Sequence, residues 1–84
     1  MSFVARWSST MIIFTRHAKE KFLVLKYHGF FFTERFIKNI VEMPDVVDYS
    51  RKPLFIAQRA VDARRVVRVV YKRSGEDTLI ITFY

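Results

Sequence analysis

The chain contains no cysteine, which removes disulfides, thiol nucleophiles and Cys-based zinc sites together, so an intracellular, cytoplasmic protein is expected. Only two glycines and two prolines interrupt 84 residues of which 51% are apolar, a composition that excludes a disordered tail. No apolar run approaches the roughly 18–20 residues of a membrane span, and no membrane partner is expected. The first ten residues lack the apolar core and small-residue cleavage site of a signal peptide. There is no glycine-rich phosphate loop, nucleophile elbow or metal motif. His17 and His28 fall on one helical segment about 16 Å apart along its axis, too far to share an ion. No metal or cofactor is therefore expected.

Acidic residues are also few. Eight Asp and Glu stand against fifteen Lys and Arg, leaving a formal charge of +7. That excess favours a polyanionic partner: nucleic acid, an acidic membrane surface or an acidic protein, with nucleic acid or an acidic protein the leading expectation. The length suits one domain with a core just large enough to fold alone.

Residues 1–10 show no clear period, and Ser8-Ser9-Thr10 precedes a second methionine, Met11. The expected layout is therefore an extension or loose arm over 1–10 and one folded domain over 11–84. The rival reading of the arm is an edge strand or dimerisation segment carrying Phe3 and Trp7. Met11–Phe14 can form a strand. Thr15 reads as the N-cap of a helix over Arg16–Tyr27, with Gly29 placed to end it. Ala18, Phe22 and Leu25 form its buried face. Thr33 reads as the next N-cap, with Glu34 in the first turn and Phe32 stapled to Ile37. Phe36, Ile37, Ile40 and Val41 make the second buried stripe, and Pro44 stops the helix. The short connection predicts that the two helices pack as a hairpin. Val46–Tyr49, Leu54–Ala60 and the two arms of Arg65–Tyr84, around Gly75, then read as strands. The expected fold is α+β: two N-terminal helices packed on one face of a 3–5-stranded antiparallel sheet.

Pairing the last two strands predicts which face each side chain takes. With Tyr71 opposite Leu79, Val69 opposite Ile81 and Val67 opposite Phe83, one face is wholly apolar. A one-residue slip would bury Arg68 and Lys72 without partners, at several kcal/mol. The helices are thus expected to cover Val67, Val69, Tyr71, Leu79, Ile81 and Phe83. Arg68, Thr82 and Tyr84 then project from the open face, joined by either Gln58 or Arg59. Guanidinium, hydroxyl and phenol groups on a sheet suit phosphate binding and base stacking.

Catalytic residues are sparse. RNA cleavage, however, can use the substrate's own 2′-OH as nucleophile, and Arg, Lys, His and Tyr then suffice without a metal. His17, one turn from Lys21, is a candidate base beside a lysine.

Several segments in order carry a resemblance. Thr15-Arg16-His17-Ala18, Glu42-Met43-Pro44-Asp45, Phe55-Ile56-Ala57, Val67-Arg68-Val69-Val70-Tyr71 and Ile81-Thr82-Phe83-Tyr84 resemble a small prokaryotic domain family of unassigned function. That family is similar to the RelE/ParE-like toxin superfamily, and the likeness spans residues 11–84. It implies a toxin-like fold and, as the best-known activity, cleavage of mRNA, with the ribosome as a partner and an acidic antitoxin as the inhibitor. By position it points to His17, Arg68 and Tyr84 as catalytic residues. Lys21, Arg59, Arg65, Arg68 and Lys72 are the candidate nucleic-acid contacts. ParE-like members of the superfamily are not ribonucleases. The alternative expectation is a non-catalytic basic module that binds nucleic acid or an acidic protein through the open sheet face. A homodimer through the Phe30–Phe32 cluster or an edge strand is a third.

Overall fold

Two threonine hydroxyls start the helices. In the computed structural model, which describes residues 11–84, a short strand β1 (Ile12–Phe14) leads into α1 (Arg16–Tyr27). The Thr15 hydroxyl accepts the Ala18 N–H at 3.2 Å and donates to the Ile80 carbonyl at 2.9 Å. One side chain thus caps the helix and ties it to the sheet. Gly29, at φ +86°, takes the left-handed conformation that turns the chain out of α1. Thr33 repeats the cap for α2 (Glu34–Glu42), accepting the Phe36 N–H at 3.1 Å. The expected arm over residues 1–10 lies outside the described residues.

The remaining strands are β2 (Val46–Asp48), β3 (Leu54–Ala60), β4 (Val66–Ser74) and β5 (Asp77–Phe83). They form one sheet in the order β1-β5-β4-β3-β2. Neighbours are antiparallel except β1, which runs parallel to β5. The fold is α+β as expected, but the sheet is mixed, not purely antiparallel. A strand that feeds straight into a helix has no hairpin partner, so β1 docks at the edge beside the last strand.

Both helices lie on one face, α1 over β5 and β1, α2 over β3 and β4. The expected helical hairpin is replaced by two helices packed mainly on separate pairs of strands. Phenylalanines fill the space between them. The Phe83 ring lies 4.6 Å from Phe22 and 6.1 Å from Phe32, and Phe22 lies 5.6 Å from Phe14. Ile37, Ile40, Ala57, Val69 and Ile80 complete the buried core beneath the helices.

The last hairpin departs from the expected register. Val69 pairs with Phe83 and Val70 with Thr82, after which Ile81 is bypassed and Tyr71 pairs with Ile80. The bulge reverses the alternation of β5. Ile80 and Thr78 therefore turn into the core, while Leu79 turns to the open face opposite Lys72. The Thr15 hydroxyl lies within hydrogen-bonding distance of both the Ile80 and Ile81 carbonyls, 2.9 and 3.3 Å away. The irregularity of β5 thus coincides with the anchor point of α1. Arg68 still faces away from the helices, between buried Val67 and Val69, but its cross-strand partner is Tyr84, not Thr82.

Candidate nucleic-acid interface

Arg68 and Tyr84 exchange backbone hydrogen bonds of 2.8 and 2.9 Å across β4 and β5. Residues in such a pair share a face, so guanidinium and phenol stand side by side on the uncovered sheet. Gln58 lies opposite Arg68 on its other side, in β3. Lys72 lies further along the same face of β4. Thr82 is on this face too, but its hydroxyl oxygen is buried without a partner and is not presented to solvent.

Arg59 takes the opposite face, which settles the choice between it and Gln58. Its Nη1 donates to the Asn39 side-chain oxygen at 2.6 Å and the Met43 carbonyl at 3.2 Å. A cation there satisfies the open carbonyl end of α2 and complements the helix dipole. Arg59 is thus a structural clamp, not an exposed nucleic-acid contact. Arg59→Ala should destabilise the fold by about 1–3 kcal/mol, given a charged donor with several acceptors. Denaturant unfolding measures that loss, and RNA affinity of the folded variant should stay within about twofold of the parent.

His17 is exposed and Lys21 half-buried on α1. That helix lies on the covered face, so the sheet separates both residues from the Arg68 guanidinium. The expected triad of His17, Arg68 and Tyr84 does not assemble; two of its members do.

A second feature lies at the end of the sheet, where the α1–α2 loop, the β3–β4 loop and Tyr84 meet. They border an open cavity of about 550 Å³ whose lining includes Phe30, Phe31, Phe32, Arg64, Arg65 and Tyr84. Its cationic wall is built by Asp62. The Asp62 carboxylate accepts the Arg64 and Arg65 backbone N–H groups at 2.8 and 2.9 Å, while Val61 N–H donates to the Arg65 carbonyl at 3.0 Å. The turn is therefore ordered, and two adjacent guanidiniums leave it together. Arg65 sits over the Phe30 ring, 5.7 Å from its centroid, a cation–π contact. Arg65 is among the expected nucleic-acid contacts. Arg64 is outside the expected contacts, and Phe30–Phe32 are expected only as a dimerisation cluster. Three consecutive phenylalanines between two helices, and an arginine doublet in a turn, were the available signals.

The acidic side chains do not neutralise these cations. All four aspartates hold backbone N–H groups: Asp45 that of Ala60, Asp48 that of Ser50, Asp62 those of its turn, and Asp77 that of Met11. The Ser50 side-chain and backbone bonds hold the Asp48 carboxyl below its ordinary range. Among the described residues the sole ion pair is Arg65–Asp62, exposed and 3.8 Å long. Such a pair contributes little. Also among these residues, no three His, Asp or Glu gather into a metal site, and no helix is long and apolar enough to cross a membrane.

At the other end of β3 and β4, Phe55 lies 5.5 Å from both Tyr49 and Tyr71. Burial pushes the Tyr71 phenol pKa up, Tyr49 adds to the shift, and Arg73 opposes it. The hollow beside them measures only about 130 Å³.

No family model, curated protein or solved structure matches this chain. At the β3–β4 loop end, Arg64, Arg65 and Tyr84 line the cavity, and Tyr84 pairs with Arg68 on the open sheet.

Proposed function

We propose that this protein is a basic module that binds single-stranded RNA along the band from Arg64 and Arg65 over Tyr84 to Arg68. The observation that carries the reading is the lining of the cavity, where aromatic residues and arginines without strong carboxylate partners occur together. Arginine serves phosphates and aromatics serve bases, the pairing that single-stranded nucleic acid requires. The net charge of +7 adds long-range attraction for the same ligand.

Fluorescence anisotropy with a labelled twelve-nucleotide RNA tests this. Affinity should fall with salt at a log–log slope of about −2 to −3, since each phosphate neutralised on a single strand contributes about −0.7. Arg68→Ala should reduce that slope by about 0.7 and weaken binding several-fold at every sequence tried. Absence of binding at 50 mM salt refutes the proposal.

The second reading is a RelE-like toxin that cuts ribosome-bound mRNA and is restrained by an acidic antitoxin. What favours it is the Arg68–Tyr84 pair, in which a phosphate-binding cation adjoins a group able to donate a proton. The same RNA, incubated with chelator and resolved on a gel, distinguishes the two. Fragments ending in a cyclic phosphate, lost in Tyr84→Phe, support the toxin; intact RNA supports the binding module.

A further inference from the structure

The cavity at the β3–β4 end has a form that binding along a backbone does not require. Positive charge alone holds a phosphate chain, and a flat patch of lysines would serve. Here two arginines line an open cavity of about 550 Å³ together with three phenylalanines, Tyr84 and aliphatic side chains. That size lies within the range of small-molecule sites, about 300–1,000 Å³. Phe31 is 73% exposed and Phe30 41%, so flat rings face solvent in a chain whose other phenylalanines are mostly packed. Gly29 and the Thr33 cap fix both ends of the loop that carries them. The rings are therefore presented by ordered backbone.

We infer that this cavity is a subsite for a single unpaired nucleotide, its base stacked on Phe31 and its phosphate held by Arg64 and by Arg65, which packs on Phe30. The inference rests on the RNA-binding reading above and narrows it to one inserted base with its own phosphate. An inorganic anion has no use for the aromatic walls. An aliphatic ligand has none for two guanidiniums. A nucleoside monophosphate uses both. Insertion also requires the base to leave any helix it belongs to, so the subsite discriminates single strands from duplex.

The full chain is titrated by NMR with adenosine 5′-monophosphate, adenosine and inorganic phosphate in turn, and each is tested as a competitor of the labelled RNA. The monophosphate should bind at least about tenfold more tightly than either part alone, because stacking and charge contribute separately. Phe31→Ser and Arg64→Ala should each weaken it by about tenfold; both side chains are exposed, so both variants should fold. Arg51→Ala, in the β2–β3 turn, should change nothing. A twelve-base-pair duplex should compete at least about tenfold less well than the single strand.

Binding of RNA that the monophosphate does not displace and that Phe31→Ser does not weaken overturns the subsite while leaving the RNA-binding reading intact. Monophosphate binding with both contributions, but no RNA binding, supports the subsite and overturns that reading. Equal affinity for inorganic phosphate, or equal displacement by a polyglutamate peptide, overturns the subsite in favour of an anion or acidic-protein site.

Discussion

Phe83→Ala should destabilise the protein by about 3–5 kcal/mol, the range for deleting a fully buried aromatic ring. Phe83 is wholly buried, and its ring is the contact shared by Phe22 of α1 and Phe32 before α2. Removing it leaves a void between two helices that have little other contact, and neither helix can collapse onto the other to fill it. Domains of this size hold only about 5–15 kcal/mol in total, so the variant should lie close to its unfolding midpoint at 37 °C. At roughly 4–8 °C per kcal/mol, a loss in melting temperature of about 12 °C or more is expected. Phe83→Leu should lose much less, since most of the volume remains. Urea unfolding of both variants measures the difference, and a loss below about 1 kcal/mol for Phe83→Ala refutes the packing described. The effect also reaches the cavity, because Phe32 contributes to its wall and stands edge-on to Phe83.

The second large effect concerns neighbouring positions in β5. Ile80→Glu should abolish folding, whereas Leu79→Glu should change stability by no more than about 1 kcal/mol. Ile80 is fully buried beneath α1, and an unpaired carboxylate there costs several kcal/mol. Leu79 lies on the open face across from Lys72, where a glutamate gains an opposite charge. Circular dichroism melts of the two variants decide the matter. Tolerance at position 80 with unfolding at 79 restores the unbroken register and removes the bulge.

That comparison also shows what could be read in advance. The alternation in Val67-Arg68-Val69 places its residues correctly, because β4 runs without interruption past both neighbours. The alternation in β5 misleads, because its bulge sits where Thr15, more than sixty residues away, anchors α1 to the strand. Arg59 misleads for a similar reason. A basic residue in a strand reads as exposed until Asn39 and Met43 are seen above it.

The candidate site divides along the same line. Arg68 and Tyr84 were legible because strand periodicity and the Gly75 hairpin place both near the end of one sheet. The cavity was not, because its walls come from two loops and the end of β5, and no local period connects them.

Residues 11–84 by themselves determined the caps at Thr15 and Thr33, the turn at Gly29, both helix spans and the outward side of Arg68. These depend on hydrogen bonds and periodicities that span only a few residues. Only the tertiary structure decided the parallel edge strand, the bulge at Ile81, the inward turn of Arg59 and the meeting of Phe30–Phe32 with Arg64 and Arg65. Each arises from a contact between segments far apart in the chain, and the energy of such a contact is visible only when both partners are in place.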